Sequence, residues 1–306
     1  MVIILFVALF MHGTNFSQLG HLHMQWGILF ASVVAGLAFR YWAVIAWNVI
    51  LQALGVRTLP PFGVMAHVFA QAWMARYVPG TVTMIAGKIF MASKYGISKS
   101  RLVVSSLLEG AMQIVAAVVV SLFLLGFSPY LHSIPMAIKA LTVGVSILLL
   151  AILIPSIFNR LLGYAYRIVK RQKVTHAELH INGEAVIKSF ILFAIGTFIS
   201  GTASFLVVRS IIPHVSFGLY GYLVGAFGLA GAIGMAVPFV PSGLGVRDGV
   251  QLVLLSAVMS RDEALLIIVL ARIWQIAVDG LFLGIAALIY RVHKSRYEVI
   301  LSQLNT

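Results

Sequence analysis

Long apolar stretches alternate with short polar connections along this chain. The apolar segments fall at about residues 1–12, 26–54, 103–126, 136–158, 186–210, 217–237 and 264–290. A helix needs roughly 20 residues to cross a bilayer core, and most of these segments are that long. Runs such as Ile114 to Leu125 lack the polar–apolar alternation of a barrel strand, so helices are predicted. No residue between Arg209 and Arg247 is formally charged, a stretch with room for more than one crossing.

Two elements break this pattern. About 63–93 carries Pro79-Gly80 at its middle, behind an entering Pro60-Pro61, and about 238–260 carries Pro238, Pro241, Gly243, Gly245 and Gly249. In the second, the apolar piece Val250 to Arg261 is too short to cross comfortably. Non-helical backbone at membrane depth is tolerated only where protein covers it or water reaches it. Paired interrupted helices are therefore a pointer to a transporter's binding site.

Composition sharpens the class. With 61% hydrophobic residues, 9% charged residues and a mean hydropathy of +1.04, the chain is neither an ordinary soluble domain nor a disordered one. An all-α polytopic membrane protein is predicted, a single transmembrane domain over 1–306 built as a helical bundle with two broken or re-entrant helices. The formal charge of +13 does not imply a nucleic-acid partner, because the basic residues flank apolar segments. Arg160, Arg167, Lys170, Arg171 and Lys173 share one connection, and Arg291, Lys294 and Arg296 follow the last apolar run. The positive-inside rule makes both regions, and so the C-terminus, cytoplasmic. The connections near 127–135, 210–216 and 261–263 then lie outside. The first break enters from the cytoplasmic side and the second from the opposite side, as a re-entrant hairpin or two partial spans. That opposite sense implies an inverted repeat, 26–158 against 186–290, joined by the basic linker 159–185. Met1 to Met11 lacks a basic leading region and reads as a short or incompletely represented first span rather than a cleaved signal.

The charged residues within apolar segments carry the candidate chemistry. The sharpest group is Arg247-Asp248 beside Pro241, Gly243 and Gly245. There the loop can aim amides and the Arg247 guanidinium at an anion while Asp248 holds the guanidinium. Arg272, Gln275 and Asp279, spaced three and four apart, share one helix face. They either complete a charged cavity with Arg247 or cross-link helices. Glu109 and Gln113 pose the same choice, with Glu109 the natural counter-ion of Arg76 or Lys88. Arg40 lies mid-span and needs a partner or a water-filled lining. Lys88 follows Gly87 but lacks the setting of a nucleotide-binding phosphate loop, and His176 and His180 in the basic linker lack the order of a zinc site. No cofactor and no metal site are expected.

Arg76-Tyr-Val-Pro-Gly80, Gly87-Lys88, Glu109, the Gly-Leu-Gly-Val-Arg-Asp core within Pro238 to Gly249, and Arg272 occur in an order that resembles the lysylphosphatidylglycerol synthase transmembrane-region family. Its members are similar to the lipid-translocating half of the multiple peptide resistance factor. The resemblance implies a polytopic domain with two re-entrant elements that moves aminoacylated phospholipid between leaflets. The chain departs from the family pattern at Gly110 and Gln113, where an arginine and an aspartate are common, and at Ser242, where glycine is common. The aminoacyltransferase domain of two-part relatives has no counterpart in these residues.

The expected function is translocation of a lipid, either a phospholipid or one linked through polyprenyl phosphate, in a prokaryotic inner membrane. Arg76, Lys88, Arg247 and Arg272 would attract a phosphate-bearing headgroup, with the breaks at Pro79, Gly80, Pro241, Gly243 and Gly245 shaping the site. Glu109, Asp248 and Asp279 would balance charge or receive a cationic substituent. The alternatives are an integral-membrane enzyme acting on a lipid-linked phosphate or sugar, and a noncatalytic partner of a lipid or glycan synthase. Oligomeric state is not legible.

Overall fold

The computed structural model describes residues 24–77, 81–131, 136–152, 154, 156–157, 160, 183–237 and 240–304. The apolar stretch 1–12, Pro79 and Gly80, and residues 161–182 of the basic linker lie outside them. Every regular element among the described residues is helical. In chain order they are α1 (Trp26–Ala53), α2 (Phe62–Met74), α3 (Thr81–Ser93), α4 (Lys99–Gly126), α5 (Met136–Ile152), α6 (Gly183–Ile211), α7 (Tyr220–Ala236), α8 (Val246–Leu255) and α9 (Arg261–Leu304). The chain is an all-α, polytopic membrane protein; among the described residues, five helical stretches are long and apolar enough to cross a bilayer.

Local sequence sets the helix ends. Ser98 begins α4, its hydroxyl accepting the Arg101 N–H at 3.3 Å. Ser260 and Glu263 form a capping box ahead of α9: the Ser260 hydroxyl accepts the Glu263 N–H at 3.3 Å, and the Glu263 carboxylate accepts the Ser260 N–H at 2.9 Å.

Two helix pairs fold back on themselves. In the first, α2 and α3 run antiparallel, so that Lys88 on α3 lies over the Phe69 ring of α2, 4.1 Å from its centroid. In the second, α7 and α8 run antiparallel: the Tyr222 hydroxyl donates to the Leu254 carbonyl at 2.6 Å, and Gly234 packs on Gly243 and Arg247 near the turn. The apolar segment at 217–237 and the short piece after it are thus two arms of one hairpin. At 1.5 Å per residue, α2 and α3 extend about 20 Å and α8 about 15 Å, short of a hydrocarbon core of about 30 Å.

The hairpins start from opposite faces of the bundle. The ends of α4 and α9 establish this, since each is long enough to run from one face to the other. Lys99 begins α4 beside the open end of the first hairpin, where Val56, Met65, Ala92, Ile97 and Leu102 form one apolar cluster. At the far end, Leu125 packs with the second hairpin's Tyr222 and Leu223. Helix α9 runs the other way. Ala264 and Ile267 pack with Leu255 in the second hairpin's cluster, while Tyr290 stacks on His67 at 4.5 Å between ring centroids and meets the Tyr95 hydroxyl at 3.2 Å. The central pair α1 and α6 is antiparallel, with the Gln25 N–H donating to the Ser210 carbonyl at 2.9 Å. A third cluster, around Ile50, Leu108, Met112 and Phe193, locks α1, α4 and α6 together.

Helix packing repeats when the two halves are exchanged. Helix α4 lies along α7 as α9 lies along α2, and each hairpin packs on the long helix that follows it. The face at the first hairpin's open end carries Arg57, Lys94, Lys99 and Arg101. The other face carries Arg209 and Arg261 beside Asp262 and Glu263. The exposed positions Lys94 and Phe127 lie on opposite faces. In this cysteine-free chain, Lys94→Cys in sealed cells should react with a thiol reagent only once the membrane is permeabilised, and Phe127→Cys should react from outside. Equal labelling of both from outside would contradict the arrangement.

Candidate functional site

The turns of the two hairpins meet at the centre of the bundle. The first carries a 3-10 turn at Ala75–Tyr77 and the second a 3-10 turn at Pro241–Gly243, and these turns contact one another. The second is shaped by positive φ at Ser242 (51°), Gly243 (67°) and Gly245 (76°). A side chain at Gly243 would place its Cβ 2.9 Å from the Gly234 Cα, so the close approach of the turn to α7 requires glycine.

Between the turns lies a cavity of about 260 Å³. Arg40, Arg76, Lys88, Glu109 and Arg247 line it with Ser242, Gly243, Gln113 and Gln275, and Phe39, Met84, Ile114, Phe193 and Phe227 supply apolar wall. Of the residues singled out in the sequence, Arg40, Arg76, Lys88, Glu109, Gln113, Ser242, Gly243, Arg247 and Gln275 therefore share one space. Asp248, Arg272 and Asp279 stand behind that wall. Gly245 caps α8 just beyond it, Pro241 opens the 3-10 turn, and Pro79 and Gly80 lie outside the described residues.

Three buried ion pairs frame the cavity. Lys88 donates to Glu109 at 2.6 Å, tying α3 to α4, and the Trp47 and Phe69 rings cover the ammonium at 4.7 and 4.1 Å. Arg272 on α9 pairs with Asp248 on α8 at 2.8 Å and also donates to the Ser242 carbonyl at 3.1 Å, pinning the strained turn. Asp279 is 0% exposed and collects donors from three directions. Its Oδ1 accepts from Arg40 Nε (2.9 Å), Arg40 Nη2 (2.8 Å) and Trp73 Nε1 (3.1 Å), while its Oδ2 accepts from the Tyr77 hydroxyl (2.6 Å).

These pairings decide questions the sequence left open and correct one expectation. Arg40 has its partner in Asp279, and Glu109 serves Lys88. The polar stripe on α9 splits: Arg272 and Asp279 cross-link helices, while Gln275 faces the cavity and accepts from Arg247 Nη1 at 2.6 Å. Asp248 does not hold Arg247. Its carboxylate is taken by Arg272 and by the Gly245 N–H at 3.0 Å, because consecutive residues on a helix point about 100° apart.

Arg76 and Arg247 are consequently the lining cations without a direct ion pair among the described residues. Neither has a carboxylate within ion-pair distance among the described residues. Arg76 lies over the Trp73 ring, 4.6 Å from its centroid, and Arg247 Nε is buried without a hydrogen-bond partner. Each comes from a different hairpin.

The sequence reading missed several contributors. Trp73 was signalled by its place three residues before Arg76, the spacing at which a ring and a cation meet on a helix, and Tyr77 by its place next to Arg76. Thr197, Ser200 and Ser204 line the cavity from α6; their three- and four-residue spacing on an apolar helix was a legible polar stripe. Ser106 and Trp274 carried no comparable signal.

The two kinds of charge should respond differently to deletion. Asp279→Ala strands Arg40 without its counter-ion and should lower unfolding stability by about 3–5 kcal/mol. Arg76→Ala removes a cation with no such pairing and should lower it by much less. Denaturation of the purified variants in detergent measures both, and equal losses would contradict the division into framing and free charges.

No curated protein matches the chain in sequence. The family described as lysylphosphatidylglycerol synthase TM region matches residues 1–291 of 306. The protein belongs to the lysylphosphatidylglycerol synthase TM region family.

Proposed function

We propose that this protein is a lipid translocator that moves a phosphate-bearing headgroup between leaflets through the central cavity. The observation that carries this reading is the meeting of Arg76 and Arg247, one from each hairpin, on a single cavity with no carboxylate in ion-pair distance of either among the described residues. Guanidinium groups without a direct ion pair in a partly apolar enclosure favour an anion, and arginine's fork of donors suits phosphate oxygens. Family membership agrees with a lipid substrate.

Opposed hairpins suit passage across a bilayer. Each short arm is read here as re-entrant, so that each turn closes the cavity toward one leaflet. The headgroup passes between the turns while the acyl or prenyl tails stay in hydrocarbon, which confines desolvation to the polar part. The exchangeable packing of the two halves supports an inverted repeat, 26–158 and 186–290, with the basic face cytoplasmic. Among the described residues, Glu109, Asp248 and Asp279 are all engaged by basic side chains, which favours translocation over an enzyme that needs an available carboxylate as general acid or base.

Purified protein in liposomes containing acyl-labelled phosphatidylglycerol tests this reading. Transbilayer movement without covalent change is expected, with the Arg76→Ala/Arg247→Ala double variant slower by at least about tenfold, the scale of losing charge-assisted contacts to phosphate. A covalently altered lipid would replace the reading with an enzyme. Neither movement nor product would favour a noncatalytic partner of a lipid or glycan synthase.

A further inference from the structure

We infer that the cavity selects an anionic phospholipid whose headgroup substituent is uncharged and hydroxyl-bearing, and disfavours one whose substituent carries an added amine. The inference rests on the translocator reading and names the substrate class of the same site.

The charge on the walls is the first argument. Among the described residues, four cations line the cavity, Arg40, Arg76, Lys88 and Arg247, against one lining carboxylate, Glu109. Asp279 balances Arg40 from behind and Glu109 balances Lys88, so Arg76 and Arg247 remain as the surplus. One phosphate diester compensates part of that surplus. A substituent bearing amines adds positive charge to an enclosure that already has too much, and like charges in a poorly solvated space repel strongly.

Among the described residues, the carboxylates beside the cavity are also all engaged. An ammonium group would require one of them. Glu109 is held by Lys88 at 2.6 Å, and Asp248 by Arg272 and the Gly245 N–H. Asp279 has four donors on its two oxygens. Recruiting any of these to a ligand amine would strand a buried cation of the framework.

What the walls offer instead is neutral polar surface: Gln113, Thr197, Ser200, Ser204 and Gln275 line the cavity beside Arg247. A hydroxyl both donates and accepts, so it can serve these amide and hydroxyl groups as well as the guanidinium N–H groups; an ammonium group only donates and cannot serve the latter. Gly110 and Gly231 on the wall face open space where a side chain would project, leaving room for such a substituent.

Paired assays on the full chain test the inference. In liposomes, acyl-labelled phosphatidylglycerol and lysylphosphatidylglycerol are compared for transbilayer movement; in detergent, each lipid is titrated for thermal stabilisation. Phosphatidylglycerol is expected to move, and to stabilise at lower concentration, with the lysyl form at least about tenfold poorer in both. Lys88→Gln releases Glu109 and should narrow that preference. Soluble glycerol 3-phosphate trapped in the liposomes should not be moved.

Equal or better handling of the lysyl form would overturn the selectivity while leaving translocation standing. If neither lipid moves, the translocator reading fails, and the stabilisation titration still decides the preference: equal stabilisation overturns it. Movement of glycerol 3-phosphate with neither lipid transported would make the ligand a free anion and overturn the lipid class.

Discussion

A helix interrupted inside hydrocarbon must have its freed backbone groups and its charges satisfied by protein, and this requirement organises the molecule. Both hairpins meet it in the same way. The returning arm is tied to the next long helix by one buried ion pair, Lys88–Glu109 in the first half and Asp248–Arg272 in the second, with the sign of the charges reversed. Arg272 also takes the Ser242 carbonyl, a backbone acceptor freed by the turn. Asp279 does the corresponding work for the first turn by holding Tyr77, Trp73 and Arg40 at once. Such pairs are not large net sources of stability, because desolvation offsets their attraction. Their role is to specify where each turn sits.

With the framework charges paired off, the remaining ones acquire meaning. Arg76 sits in the 3-10 turn of the first hairpin and Arg247 in the first turn of α8 in the second, and neither is in a direct ion pair among the described residues. Gln275 orients Arg247 through a neutral acceptor at 2.6 Å, and Trp73 supports Arg76 through its ring face. Neither contact neutralises the guanidinium. The same framework that fixes the turns thereby leaves positive charge facing an enclosed space, which is the property a headgroup site requires.

Much of this was legible in the sequence because hydropathy and helix breakers act locally. Helix α1 begins at Trp26 as expected and ends within a residue of the expected boundary, and the matching family is the one the residues suggested. The charged residues inside apolar segments were found for the same reason, since each is conspicuous where it stands. Partner choice was not legible. Asp248 follows Arg247 in sequence yet binds Arg272, and Asp279 binds Arg40, 239 positions away, because pairing depends on which helix faces meet. Nor did hydropathy separate a complete span from one arm of a hairpin. The segment at 217–237 is apolar enough for either; what hydropathy could not show is that α8 returns along α7, with Arg247 beside Gly234 and Leu254 beside Tyr222.

The account stands on the two turns meeting between opposite faces of the bundle, and cross-linking measures that directly. Ala75→Cys and Ser242→Cys, placed together in the cysteine-free chain with a protease site inserted in the basic linker, report whether the halves touch. A short bifunctional thiol reagent applied to native membranes should keep the two halves together on a denaturing gel after cleavage, as the contact between the 3-10 turns requires. Separation of the halves, with both cysteines shown to be reactive one at a time, would place the turns apart and contradict a shared cavity.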